Sequence, residues 1–183
     1  MVTINKAYIK VNSEKEKHII EELLKETFVN VEIKWKGNIA KFVVFEKDSF
    51  QLQLIKLVSL NLQDLGVFTS VLIVPFFNDV FIKYLDKINN SVVSAFEVFV
   101  SCIKEPQVFK DAKYIYDSIE KKDLDTIKAF LCCNANSCVA ANELYLHRNS
   151  FNYRMNHFIN KTQIDIRDLN SLMFINLIIN ICA

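Results

Sequence analysis

Glycine and proline are both scarce in this chain, which has two of each among its 183 residues. A fold with many tight turns uses more of both, because glycine adopts positive φ freely and proline holds φ near about −65°. With only Gly37 and Gly66 available, the glycine-rich loops that cradle phosphates in nucleotide-binding proteins are also excluded. The composition therefore favours a protein built from helices and strands with few special turns.

Long hydrophobic runs are absent as well. The longest run, residues 67–77, is interrupted by Pro75 and has the length of a strand, whereas a membrane helix needs roughly 18 apolar residues. Lys6 and Lys10 interrupt any signal-like segment near the start. The five cysteines form no metal-ligand spacing with the three histidines, and their odd number favours reduced thiols. We expect a cytoplasmic protein without membrane contact, metal or cofactor.

Hydrophobic residues make up 51% of the chain and charged residues 23%, which predicts a folded core. Residues 1–75 show alternating and helical periodicities in the order strand, helix, strand, strand, helix, strand. The first helix is capped at Asn12 or Ser13, and the second begins at Asp48 or Ser49 and ends before Gly66. This order is typical of a ferredoxin-like sheet, antiparallel and four-stranded, with two helices on one face.

The remaining chain is predicted to be helical. Residues 76–110 form a helical connector with helices at 78–88 and 91–103, and Pro106 marks a break. Residues 111–183 form an all-α bundle, for which periodicity predicts helices at 112–120, 123–133, 137–144, 148–160 and 168–181. The fold class is therefore α+β, with a ferredoxin-like domain followed by a helical bundle.

Residues 136–166 contain the most informative pattern, two short helices joined by a tight turn. Asn136 is a suitable N-cap for the first helix, and the small Ala140 and Ala141 allow another helix to cross closely. In the second helix Phe151, Met155 and Phe158 form one apolar stripe, and the opposite face is rich in amides and other hydrogen-bonding groups. No acidic residue occurs from 144 to 164, so within this stretch no negative charge balances the three basic residues Arg148, Arg154 and Lys161. Such a face suits base edges and phosphates.

This stretch resembles the C-terminal helix-turn-helix domain of the PucR/CdaR family of bacterial transcription regulators, and it is similar to the DNA-binding end of the nucleoid protein Fis. The matching residues are Asn136, Ala140, Ala141, Leu144, His147, Arg148, Asn149, Tyr153, Arg154, Thr162 and Asp165. The resemblance implies that residues 148–160 form a recognition helix that a dimer places in the major groove of double-stranded DNA. The implied DNA-binding residues are His147, Arg148, Asn149, Ser150, Asn152, Tyr153, Arg154, His157 and Lys161.

The chain departs from the family pattern in two ways. The family usually has basic residues at the positions that Asn152 and Asn156 occupy here, and often at the position of His157. We therefore expect weaker attraction to phosphates and a flatter dependence of DNA affinity on salt. Glycines that the family places near residues 134, 135 and 163 are replaced by Asn134, Ala135 and Gln163. The family also implies that the N-terminal domain is a degenerate diguanylate-cyclase-like (GGDEF-like) domain.

Two alternatives to a DNA-binding regulator remain open. A degenerate helix-turn-helix protein can serve as a protein–protein interaction module, which the missing basic residues and the net charge of +1 favour. An enzyme is disfavoured, because the hairpin residues Trp35, Lys36, Gly37 and Asn38 lack the carboxylates of a cyclase, and no nucleophile elbow or paired-histidine zinc helix occurs. The family resemblance further implies a small-molecule effector, which the sequence does not identify, acting through residues 1–110.

Overall fold

The structure is a computed structural model that describes residues 3–46, 50–62 and 64–182. It divides into two compact units, Met1–Val98 and Phe99–Ala183, and is α+β as predicted. The division lies within the predicted connector of residues 76–110. Separate domains at 1–75 and 111–183 stay a prediction.

The first unit is organised around a sheet. Its elements are β1 (Thr3–Lys10), α1 (Glu14–Thr27), β2 (Val31–Lys36), β3 (Ile39–Glu46), α2 (Phe50–Lys56), β4 (Ser70–Val74) and β5 (Val92–Ser94). Among the described residues the strand order is β2-β3-β1-β4-β5, one strand more than predicted. β1 pairs with β3 and with β4, β2 pairs with β3, and all three pairings are antiparallel, which gives the predicted ferredoxin-like arrangement. Alternate residues of β1 and β3 share one hydrophobic cluster with α1 and α2, including Ala7, Ile9, Phe42, Val44, Leu24 and Leu54.

Local sequence signals explain where α1 and the hairpin form. The Ser13 hydroxyl accepts a hydrogen bond from the Glu16 backbone, and the Glu16 carboxylate accepts one from the Ser13 backbone in return. This capping box satisfies two of the backbone N–H groups that a helix start leaves unpaired. Gly37 begins the turn between β2 and β3 and has φ +59°, a backbone conformation that is unfavourable for residues with a Cβ.

The second helix differs from its prediction. The predicted start at Asp48 or Ser49 lies outside the described residues, and α2 is regular only over Phe50–Lys56. Leu57–Leu62 then forms a wider π-helical segment instead of continuing the α-helix. The Val67 backbone donates to the Leu62 carbonyl at 2.8 Å, and Gly66 has φ +68° in the reversal that follows.

The prediction of a continuous helix over residues 91–103 was wrong. Val92–Ser94 forms β5, which pairs in parallel with β4 at the edge of the sheet, and α3 covers only Ala95–Ser101. Ser94 and Glu97 form a second capping box, in which Ser94 N donates to the Glu97 carboxylate at 2.6 Å. The Ser-x-x-Glu spacing was a readable sign that the helix starts here. The helix predicted at 78–88 is a 3-10 helix, Asp79–Lys87.

The second unit is helical, as predicted, although its first helix begins earlier. Pro106 was expected to mark a break, but it opens α4 (Pro106–Asp117), where proline is favoured because the first backbone N–H needs no helical partner. The remaining helices lie within a few residues of their predicted bounds. They are α5 (Lys121–Cys132), α6 (Ser137–Glu143), α7 (Arg148–Thr162) and α8 (Leu169–Cys182).

Candidate nucleic-acid interface

The helices α5, α6 and α7 contact one another and form a small three-helix core. Phe151 of α7 is fully buried, and its ring lies 6.3 Å from the ring of Phe130 in α5. Ala140 and Ala141 of α6 are buried, as their small side chains suggested. Because α7 is anchored through its apolar stripe, its opposite face is held outward.

Backbone hydrogen bonds define the turn between α6 and α7. The Asn136 side chain caps α6 as predicted, accepting from Cys138 N at 3.0 Å and Val139 N at 3.2 Å. At the other end, Leu146 N donates to the Ala141 carbonyl at 2.8 Å. Tyr145 adopts a left-handed conformation with φ +54° and is almost fully exposed. Two helices joined by such a short turn form a helix-turn-helix.

Most side chains predicted to bind DNA lie on the exposed face of α7. Phe151, Met155 and Phe158 are buried on the other side of this 15-residue helix. Asn152 and Arg154 are partly buried at the margins of the exposed face. The exposed members of the predicted set are His147, Arg148, Asn149, Ser150, Tyr153, His157 and Lys161, and Asn156 and Asn160 are exposed on the same face. The structure thus brings the predicted residues onto one surface, and their contact with DNA stays a prediction.

His147 has a structural role at the start of α7. Its Nδ1 accepts a hydrogen bond from Asn149 N at 3.3 Å, which makes His147 the N-cap of the helix. A ring nitrogen that accepts here carries no proton, so Nε2 is the nitrogen left to donate to another group. His147 therefore combines helix capping with one free donor.

The cations of the interface are not equivalent. Within the part of the chain that the structure describes, Arg148 and Arg154 form no ion pair. Lys161, by contrast, pairs with Glu120, and Glu120 also pairs with Lys122 at 3.1 Å. Hydrogen bonds from Lys161 and Lys122 lower the pKa of the Glu120 carboxyl to about 2. The predicted DNA contact at Lys161 therefore requires competition with a carboxylate that stays charged at neutral pH.

One further cation reaches this face, and the sequence reasoning did not find it. The Arg167 guanidinium donates from Nη2 to the Asn156 Oδ1 atom on α7. Arg167 lies in the turn after α7, where its own backbone N–H donates to the Asp165 carboxylate at 3.0 Å. Arg167 lies outside the predicted recognition helix, and in the sequence its charge is offset by the neighbouring Asp165 and Asp168.

The three positions where family glycines are missing all adopt the left-handed conformation. Asn134, Ala135 and Gln163 have φ of +52°, +58° and +61°. Asn134 and Ala135 connect α5 to α6, and Gln163 ends α7, donating its backbone N–H to the Ile159 carbonyl at 2.8 Å. For a residue with a Cβ this conformation costs about 1–2 kcal/mol, and asparagine tolerates it best. The turns are therefore strained at Ala135 and Gln163.

We expect Ala135→Gly to raise the free energy of unfolding by about 0.5–1 kcal/mol, because relief of the left-handed strain exceeds the added entropy of the unfolded chain. Urea unfolding followed by circular dichroism measures this change. Ala129→Gly is the matched control, since Ala129 lies inside α5 and the same change there should cost about 1 kcal/mol. Equal destabilisation by both variants would contradict the prediction.

Among the residues that the structure describes, no helix has both the length and the apolar character needed to cross a membrane. The same residues hold no group of three or more His, Cys, Asp or Glu side chains placed to bind a metal ion.

The fold and the exposed face of α7 define the second unit as a helix-turn-helix domain. Residues 123–181 match the family described as the PucR C-terminal helix-turn-helix domain. An uncharacterised protein of Bacillus subtilis (strain 168), YxkF, is 38% identical over 63 residues, which cover 34% of this chain and 21% of YxkF. The match thus spans about a fifth of that curated relative.

A solved structure, the regulator of polyketide synthase expression from Bifidobacterium adolescentis, aligns over 97% of this chain and 79% of its own. The identity is 11% and the TM-score is 0.44, a similarity too low to support an argument about fold or function.

Proposed function

We propose that this chain is a DNA-binding transcription regulator that inserts α7 into the major groove. The observation that carries the proposal is the exposed face of α7, which combines amide, hydroxyl and imidazole groups with Arg148 and Arg154. Within the described residues neither arginine has an acidic partner. Side chains of this kind hydrogen-bond base edges, while arginines bind phosphates or the guanine edge. The match to the PucR C-terminal helix-turn-helix domain supports the same function.

The dimensions of α7 agree with this function. An α-helix with its side chains is about 10–12 Å wide, and the major groove of B-DNA is about 12 Å wide. In helix-turn-helix proteins the N-terminal residues of the second helix contact base edges. In α7 these are Arg148, Asn149 and Ser150, with Tyr153 and His157 one and two turns further along. The Tyr153 and His157 rings lie 6.5 Å apart on the exposed side.

The chain is proposed to act as a homodimer on a two-fold site, because one such helix reads only a few base pairs. α8 offers the surface for this contact. Its sequence contains no charged residue, and Leu169 and Met173 are exposed on it. Apolar side chains left in water favour association with a second apolar surface. We further propose that the protein is cytoplasmic and not an enzyme, and that a small-molecule effector acts through residues 1–110.

A second candidate is a protein–protein interaction module without DNA binding. The observation that favours it is the pairing of Lys161 with Glu120, which removes one of the predicted phosphate contacts. The neutral Asn152 and Asn156 reduce the charge of α7 further, and the whole chain carries only +1. The DNA-binding measurement below separates the two candidates.

We expect the chain to bind random-sequence duplex DNA with an affinity that falls steeply as salt rises, and Arg148→Ala/Arg154→Ala to flatten that fall. Each lost phosphate contact lowers the slope of log affinity against log salt by about 0.9, so two lost contacts lower it by about 1.8. As salt rises from roughly 50 to 200 mM, the ratio of the wild-type affinity to the affinity of the double variant should therefore fall about tenfold. Fluorescence anisotropy across a salt series measures both slopes.

The matched control is Lys104→Ala/Lys110→Ala, which removes the same charge from exposed positions that precede α5. This variant should keep the wild-type slope. If the folded wild-type chain does not bind DNA even at low salt, the regulator proposal fails and the interaction module takes its place.

A further inference from the structure

The contact between Arg167 and Asn156 joins a loop cation to the exposed face of α7. The guanidinium donates from Nη2 to Asn156 Oδ1, and both side chains are exposed. The nearby acids are engaged elsewhere, because Asp165 accepts from the Arg167 backbone and Asp168 accepts from Ser171 N at 2.9 Å. Among the residues that the structure describes, Arg167 therefore meets a neutral amide and no carboxylate at ion-pair distance. Its guanidinium is therefore not held in an ion pair.

The exposed face of α7 has two edges with different chemistry. Residues three, four or seven positions apart lie along the same side of a helix. By this spacing Ser150, Arg154 and Lys161 line one edge. The opposite edge begins at Arg148, four residues before Asn152, and further along α7 it carries only amides, from Asn149, Asn152 and Asn156. Arg167 reaches α7 at this amide edge, through Asn156.

A helix in the major groove meets a phosphate backbone on each side, because its width nearly equals that of the groove. The Arg154 edge has a cation of its own for one backbone. On the amide edge the cation of α7 is Arg148, at the start of the helix and about two turns before Asn156, and the neutral amides that follow it release no counterions from DNA. A cation held against Asn156 places positive charge where the second backbone passes.

We propose that Arg167 is the phosphate-binding cation beside Asn156, on the part of the amide edge beyond Arg148, and that Asn156 positions it there; this rests on the proposed DNA binding. The bond to Asn156 is between exposed groups and one partner is neutral, so exchange for a phosphate oxygen is favourable. Arginine suits this role, since its planar fork of donors binds a phosphate while a remaining N–H keeps the amide.

The test is the salt dependence of duplex binding by the full chain, with the wild type beside Arg167→Ala and Arg167→Lys. Arg167→Ala should lower the slope of log affinity against log salt by about 0.9, the value for one phosphate contact. Arg167→Lys should keep the slope, because the charge remains. The Arg154→Ala/Arg167→Ala variant should lower the slope by about 1.8, since the two cations lie on different edges and act independently. Thermal unfolding should stay unchanged in Arg167→Ala.

Lys110→Ala is the matched control, an exposed lysine of the same unit that lies in α4. If Arg167→Ala and Lys110→Ala change the slope equally, or if Arg167→Ala changes nothing, the proposal is overturned. The proposed function survives that result as long as the wild type binds and Arg148→Ala/Arg154→Ala flattens the slope. Absence of wild-type binding removes both proposals together, so the two failures are distinguishable.

Discussion

Phe151→Ala should lower the free energy of unfolding of the C-terminal unit by about 3–5 kcal/mol, the usual cost of deleting a buried aromatic ring. Phe151 is fully buried and packs against Phe130, so its removal leaves a cavity between α5 and α7. A domain of this size is stable by about 5–15 kcal/mol in total. The loss therefore removes a large part of the energy that holds α7 in place.

Urea unfolding of the full chain, followed by circular dichroism, measures this loss. Phe109→Ala is the matched control, because Phe109 lies in α4 and is 48% exposed, so its truncation should cost well under half as much. A loss below about 1 kcal/mol in Phe151→Ala would show that α7 is not anchored through this ring.

The second large effect concerns alkaline stability and Tyr8 of β1. Tyr8 is fully buried, its ring lies 5.3 Å from that of Phe77, and its hydroxyl donates to the Asn78 carbonyl at 3.1 Å. Burial, together with the negative charge of Asp79, raises the pKa of Tyr8 from 10.0 to about 12. The unfolded chain thus loses this proton first, and stability is fully present below pH 10 and falls as the pH rises to about 12.

Two pKa units correspond to about 2–3 kcal/mol, which the wild type should lose over this range and Tyr8→Phe should not. At neutral pH the variant should be less stable by about 1 kcal/mol, because the Asn78 carbonyl loses its donor. The two curves of unfolding free energy against pH should therefore cross. Lysines titrate in both proteins and cancel in the difference. If the wild-type and Tyr8→Phe curves run parallel up to pH 12, the pKa of Tyr8 is the same in the folded and the unfolded chain, and the prediction is wrong.

The elements of the helix-turn-helix were predictable because their signals are local. The Asn136 cap and the spacing of Phe151, Met155 and Phe158 depend on neighbours within one or two helical turns. The predicted bounds 137–144 and 148–160 accordingly fall close to Ser137–Glu143 and Arg148–Thr162. The strands of the ferredoxin-like sheet were predicted from signals that are also local: alternation in residues 6–11, the turn residues around Gly37, and the apolar run of residues 67–74 after Gly66.

The strand β5 was missed because its three residues carry too little pattern of their own. Val92–Ser94 is extended because it pairs in parallel with β4, with Val92 opposite Val71. That pairing depends on the connection through the 3-10 helix Asp79–Lys87, which places the chain beside the sheet edge. Apolar residues that continue into α3 made the whole segment look helical.

The sequence by itself determined which face of α7 is buried and which is polar, since the period of a helix follows from its backbone geometry. Only the tertiary structure decided which cations remain available on that face. Lys161 is neutralised by Glu120, 41 residues earlier in the chain, while Arg167 is brought to Asn156 by the turn after α7. Charges interact through space, so the packing of the helices sets their partners.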